Sequence, residues 1–391
     1  MTPSQIKPKG PPAAPQVGAL YVHVPFCLRK CRYCDFYSRV IDPRQADRFV
    51  EALAGELQLR GAPLGPPLAS IHIGGGTPTA LGARRLGTVL DLLAPLRDGR
   101  TEFTVEANPG CLDEATAQAM AAGGVNRVSL GAQTFDPGQL ELLGRLHDVD
   151  QPGQGVALLR RGGIDNIGLD LIFGIPGQTF ESWQRSLEAA LDLSPDHLSC
   201  YALSFEPGTE LHTRLSAGEL APMDDALQGR CYRWARRRCR QRGLEHYEIS
   251  NWARPARQSR HNRTYWENRP YLGLGPAAAS YIQGIRQVNR PDLPGYLDAI
   301  AQGRRPPADA EQLTGRPLMA ETLMLGLRLL EGISRSAFAD RFGQDPLEAF
   351  GRSLRRHQQL GTILVSADRV RLSRPALFVS DSVLADIIAE A

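Results

Sequence analysis

Ala19-Leu-Tyr-Val-His-Val-Pro-Phe-Cys27-Leu-Arg-Lys-Cys31-Arg-Tyr-Cys34 is the stretch from which the rest of the chain is read. Ala19–Val24 is a short apolar run and reads as a strand. Directly after it come three thiols spaced C-x3-C-x2-C. A structural zinc site wants four ligands, usually in two pairs, and no second pair stands at a useful spacing. Cys111, Cys200, Cys231 and Cys239 are scattered. Three closely spaced thiolates suit a [4Fe–4S] cluster with one iron left open for a small molecule. Three unrelated buried thiols in a loop are the plainer alternative.

From this first strand the chain alternates. Strands are expected at Ser70–Ile73, Glu102–Glu106, Arg127–Leu130, Asn166–Phe173 and His197–Leu203. Helices are expected at Arg44–Arg60, Ala83–Leu93, Asp113–Ala121, Gly153–Arg161, Phe180–Leu191 and Asp224–Arg242. Asp42 stands as N-cap of the first helix, with Pro43 at its first position. Six βα units argue for a parallel sheet with crossover helices, as an incomplete (β/α)6 barrel or an open sheet. The expected organisation is a Pro-rich tail over residues 1–18, the α/β body over 19–245, a polar and aromatic extension and linker over 246–308, and a C-terminal domain over 309–391. The last segment reads as three helices and a hairpin (Ile363–Val365 with Val370–Leu372), a winged-helix-like pattern.

The composition bounds the function. Of 391 residues, 42% are hydrophobic and 22% charged, enough for a packed core. The net charge of +3 gives no sign of a dedicated nucleic-acid binder. No stretch approaches the roughly 18 apolar residues of a membrane span, and the proline-rich start lacks the apolar core of a secretory signal. A cytoplasmic location is expected, where seven cysteines read as thiols or metal ligands. Seven arginines between Arg230 and Arg242 read as the solvated outer face of the last barrel helix.

The strand ends carry polar groups in step. The second strand ends in Gly74-Gly75-Gly76-Thr77-Pro78-Thr79, the third in Glu106, the fourth in Gln133 and the fifth in Asp170. In a parallel barrel, ligands sit at these carboxyl ends. Glycines let the backbone approach a ligand closely.

The thiol spacing after a first barrel strand resembles the radical S-adenosylmethionine (SAM) superfamily. There the open iron chelates SAM and the cluster can supply an electron to cleave its sulfonium. Tyr21-Val-His-Val-Pro-Phe-Cys27 resembles the coproporphyrinogen oxidase-like branch. The resemblance spans residues 20 to about 280 and continues more weakly to the end. It implies Cys27, Cys31 and Cys34 as cluster ligands. It places SAM on Tyr21, Tyr33, Gly75, Gly76, Thr77, Glu106, Gln133, Arg145 and Asp170.

Two groups share this body: oxygen-independent coproporphyrinogen III oxidases and heme chaperones of the HemW type. The oxidase has a further cysteine two positions after the third thiol, where this chain has Phe36. It also carries a longer N-terminal segment, whereas 20 residues precede Tyr21 here. His261-Asn-Arg-Thr-Tyr-Trp266 matches the H-N-x-x-Y-W string of the chaperones. A neutral imidazole is a good heme ligand, so His261 is expected to bind heme. The expectation is therefore a heme carrier that holds a [4Fe–4S] cluster, SAM and heme and delivers heme to an apo-hemoprotein, at a membrane or away from one. The alternative is an oxidase or another tetrapyrrole enzyme of the same fold. A homodimer is compatible with the sequence, and nucleic acid is not an expected partner.

Overall fold

A computed structural model of the protein describes residues 17–61 and 64–391. The expected tail therefore lies, but for residues 17 and 18, outside the described residues. Nine strands form the main sheet: β1 (Ala19–Val24), β2 (Ser70–Gly75), β3 (Glu102–Ala107), β4 (Arg127–Gln133), β5 (Asn166–Phe173), β6 (His197–Ala202), β7 (Glu245–Glu248), β8 (Asn251–Ala253) and β9 (Leu272–Leu274). Their order is β9-β1-β2-β3-β4-β5-β6-β8-β7, which is linear and does not close. The six strands from β1 to β6 run parallel, joined by helices packed on one face.

Strand alternation sorts the two faces. Val22, Ile73, Val105, Val128 and Ile167 stand in one register row and are fully buried. They meet the crossover helices, whose first member, Pro43–Arg60, is capped by the Asp42 carboxylate accepting from the Gln45 amide at 2.8 Å. The alternate positions present His72, Thr104, Glu106, Ser129, Asp170 and Ser199 to the concave side. That side is polar because it is where a site is built, not where the core packs.

The segment expected to lie outside the alternation instead completes the sheet. β8 and β7 add antiparallel strands beside β6, and β9 runs parallel to β1 on the opposite edge. These strands are three or four residues long. Runs that short show no readable period, and edges need few apolar residues. Residues 291–317, whose five prolines read as a connector, likewise hold a helix, Leu293–Ala301. They also hold the strand Ala308–Gln312, which pairs antiparallel with Ile285–Asn289.

One buried carboxylate binds the extension to the body. Glu56 is 0% exposed. Its Oε1 accepts from Arg60 Nη2 and Asn289 Nδ2, both at 2.9 Å. Its Oε2 accepts from the Gly275 amide at 2.7 Å and the Tyr296 hydroxyl at 2.9 Å.

The C-terminal part packs helices Gly315–Gly326, Arg335–Phe342 and Gly351–Gln359 with a three-stranded sheet of Ile333–Ser334, Arg369–Leu372 and Ile363–Val365. It meets the main sheet at β7, where Ile249 donates to the Arg328 carbonyl and Leu330 to the Tyr247 carbonyl. The arginine-rich helix Asp225–Gln241 spends its charges locally. Arg238 pairs with Glu188 at 2.5 Å, and the Arg230 guanidinium lies 3.8 Å from the Phe180 ring centroid. Among the described residues, no helix is long and apolar enough to cross a membrane.

Candidate functional site

The carboxyl ends of β1 to β6 surround a cavity of about 480 Å³. The loop after β1 carries the three thiols over its mouth. It is held by hydrogen bonds from the Arg39 amide to the Pro25 carbonyl and from the Ile41 amide to the Cys27 carbonyl, both 2.9 Å. Arg32 donates to the Leu143 carbonyl at 3.0 Å and ties the loop to the neighbouring βα connection. Cys27, Cys31 and Cys34 all line the cavity. Among the described residues, no three His, Cys, Asp or Glu side chains converge on a single metal ion. Three thiols on the wall of one cavity fit a polynuclear cluster, in which each sulfur binds a different iron. Burial pushes the Cys27 and Cys34 thiols up, Cys34 to about 11. They keep their protons at neutral pH until a metal displaces them.

The Gly-rich end of β2 forms the floor. Gly75 has φ +105°, a left-handed conformation that a side chain resists, and a Cβ there would lie 2.8 Å from the His23 ring. At Gly76 a Cβ would fall 2.6 Å from the Phe26 carbonyl oxygen and 3.0 Å from that of Val24. Those carbonyls already accept from the amides of Thr77 (2.7 Å) and Gly76 (2.8 Å), so they cannot move away. Gly76→Ala is therefore expected to cost about 1–3 kcal/mol by overpacking. A lowered thermal midpoint checks this. Thr77 Oγ1 donates to Cys27 Sγ at 3.5 Å, linking floor to loop.

Two carboxylates face the cavity from the concave side. Glu106 accepts from the Gly75 amide at 3.2 Å and from His72 Nε2 at 2.9 Å. Asp170 accepts from Ser129 Oγ at 3.0 Å. Burial raises the Asp170 pKa, opposed by hydrogen bonds from Ser199 and Ser129. Arg145 donates to the Gly131 carbonyl at 2.7 Å and to Cys31 Sγ at 3.4 Å, and its buried Nε has no partner. Gln133 holds φ +65° where the β4–β5 register slips, so strained backbone lies beside the site. A guanidinium, two carboxylates and close-approach backbone suit a ligand with a carboxylate, an amine and ribose hydroxyls.

Thus Tyr33, Gly75, Gly76, Thr77, Glu106, Gln133, Arg145 and Asp170 line one cavity with the three cysteines. Tyr21 does not join them. It pairs with Gly273 at the β9 edge and donates from its hydroxyl to His23 Nδ1 at 3.1 Å. It lines an adjoining cavity of about 520 Å³ instead. His261 lies apart from both. It is 1% exposed, Nδ1 is bonded to Ser70 Oγ at 2.9 Å, and Nε2 to the Tyr265 hydroxyl at 2.8 Å. Its ring stacks on His72 at 5.0 Å, and burial drives its pKa well below the ordinary imidazole value. Neither ring nitrogen is free to bind iron in this arrangement. The sequence reading passed over His72 and Ser129, which support the carboxylates. The signal for both was strand alternation, since Ser129 pairs in register with Glu106.

The sequence matches the Radical SAM superfamily over residues 21–190 and the HemN C-terminal domain over residues 313–379. It is 35% identical to the heme chaperone HemW of Bacillus subtilis over 95% of this chain and 99% of that protein. It is 38% identical to the heme chaperone HemW of Mycobacterium tuberculosis, over 83% of this chain and 85% of that one. In structure it superposes on coproporphyrinogen III oxidase (HemN) from Escherichia coli with a TM-score of 0.82. That match covers 96% of this chain and 91% of the other at 21% identity.

Proposed function

Since the chain belongs to the radical SAM superfamily, among relatives of the HemW heme chaperones, we propose that it captures heme and passes it to an apo-hemoprotein. The observation that carries this reading is identity of 35–38% to heme chaperones along most of the chain. The oxidase shares the fold at 21% identity, and a shared fold does not by itself transfer an activity. Phe36 supports the same choice, because it stands where the oxidase-type sequence has a cysteine.

Cys27, Cys31 and Cys34 would hold a [4Fe–4S] cluster whose open iron supplies one-electron chemistry and a chelation point for SAM. The residues of the chain do the rest. Arg145 offers its unpartnered Nε and its charge to the carboxylate of SAM. Glu106 and Asp170 accept from ribose hydroxyls and the ammonium group. Gly75 and Gly76 leave space along the backbone for the ligand. Arg145 also keeps Cys31 in place, so cluster and SAM are positioned by one side chain. Delivery to acceptors at a membrane and pairing of two copies belong to the same proposal.

The test is an anaerobic heme titration of the cluster-loaded chain followed by the Soret band. The expected result is saturable binding at one heme per chain, with no decarboxylation of coproporphyrinogen under SAM and reductant. Absence of heme binding together with turnover of coproporphyrinogen would replace the carrier by the enzyme.

A further inference from the structure

One histidine stands behind the thiol-lined cavity rather than in its wall. His72 does not border that cavity, and neither does Gly74 two residues on, whereas Glu106 does. The His72 ring makes one hydrogen bond, Nε2 donating to Glu106 Oε1 at 2.9 Å. Its Nδ1 is buried without a partner. A buried polar atom left unpaired is costly, and a phenyl ring would fill the same space without that cost. The bond to Glu106 is therefore what the imidazole contributes. The ring packs against Tyr21 and His261, with centroids 6.0 and 5.0 Å away, which restricts its rotation.

Gly74 makes room for the same carboxylate. A Cβ there would lie 2.7 Å from Glu106 Cδ and Oε1 and 2.8 Å from Oε2. The carboxylate therefore rests directly against the backbone of β2, where the next amide, that of Gly75, donates to Oε2 at 3.2 Å. Each carboxylate oxygen has one donor, and among the described residues these are its two hydrogen bonds. With a side chain 37% exposed, Glu106 would otherwise have room to turn. It also has reason to turn. Glu106 and Asp170 are like charges facing one cavity, and Glu106 is one of the groups that push the Asp170 pKa up. Asp170 is held from behind by Ser129. Glu106 is held by His72 and Gly75.

We propose that His72 and Gly74 are positioning residues of the SAM site. The imidazole donates to Glu106 and the bare glycine leaves space for it, so the carboxylate meets the ligand in one fixed orientation. The inference rests on the SAM-binding reading and adds to it two residues that do not touch the ligand.

The experiment is anaerobic equilibrium dialysis of SAM against the full-length, cluster-loaded protein. It compares wild type with His72→Phe, His72→Gln and Gly74→Ala, and repeats His72→Phe and Gly74→Ala in a Glu106→Gln background. His72→Phe should raise the Kd for SAM about tenfold, the effect of losing a hydrogen bond to a charged group. His72→Gln offers an amide nitrogen in place of Nε2 and should return to within about threefold of wild type. Gly74→Ala should weaken SAM by a factor similar to His72→Phe with little change in thermal midpoint, since the atoms it displaces end a flexible side chain. In the Glu106→Gln background neither change should move Kd beyond about twofold, because both act through Glu106. A His72→Phe protein that binds SAM like wild type overturns the role of the imidazole. Full additivity with Glu106→Gln also overturns the proposal. If His72→Phe does not fold, Gly74→Ala carries the test, and wild-type affinity there overturns the seat. No SAM binding by wild type removes the SAM reading and this inference with it.

Discussion

Replacing any one of Cys27, Cys31 or Cys34 by serine is expected to strip the chain of its iron. Each thiol borders the cavity from a different point of the loop after β1, so in the proposed cluster each would bind a different iron. Losing one leaves a cluster with two protein ligands and two open irons, which hydrolyses readily in water. Iron content should fall from about four to below about one atom per chain after anaerobic reconstitution. The broad visible absorbance should vanish with it. Cys200, Cys231 and Cys239 are buried and absent from the cavity wall, so their serine variants should load normally. A single loop variant with full iron would remove that thiol from the ligand set. The reduced, metal-free wild type should bind SAM weakly, because Arg145 and the carboxylates alone remain to hold it.

Glu56→Ala is expected to destabilise the fold by about 3–5 kcal/mol, the range for breaking a buried charge pair. The carboxylate has four hydrogen-bond partners and no exposure, and its removal leaves the Arg60 guanidinium charged at 9% exposure with Asn289, Gly275 and Tyr296 short of an acceptor. The thermal midpoint should drop by roughly 5 °C, since an unfolding entropy of about 2.1 cal/mol/K per residue over 391 residues gives about 1.2 °C per kcal/mol. Glu56→Gln should cost less, since the amide oxygen still accepts from part of the set. A midpoint unchanged in Glu56→Ala would show that this network adds nothing to the attachment of residues 272–296.

The central architecture could be read in the sequence because parallel strands buried under helices are apolar, regular and long. Ala19–Val24 and Asn166–Phe173 have the bounds expected of them. Expected strands at Ser70, Glu102 and Arg127 run one to three residues further, into the site, where glycine, alanine and Gln133 replace the large apolar residues that signal a strand. Residues 244–312 were not legible. Their strands are short, their partners are distant in sequence, and the pairing of β9 with β1 spans some 250 residues. The thiol-lined site could be read because strand ends and thiol spacing are local signals. The place of Tyr21 depends on β9, and the burial of His261 depends on Ser70 and Tyr265. Both rest on contacts that no local pattern announces. His261 in its motif is expected to bind heme, whereas here it is buried, with one ring nitrogen bonded to Ser70 of β2 and the other to Tyr265 of its own helix Arg260–Trp266.

The linear order of the main sheet leaves it with two ends, and a strand end offers unpaired amides to any passing chain. The chain spends its own length to blunt both. At β9, Tyr271 pairs with Tyr281 in a bridge, and the Gly273 amide donates to the Ser280 hydroxyl at 2.9 Å. At β7, Glu248 bridges Leu329, flanked by the two backbone bonds to residues 328 and 330. The segment that matches the HemN C-terminal domain is therefore more than an appended module. It is the stopper on one open edge, so a shortened chain would trade solubility for size. Insertions in this protein are better tolerated in its exposed loops than cuts before residue 328.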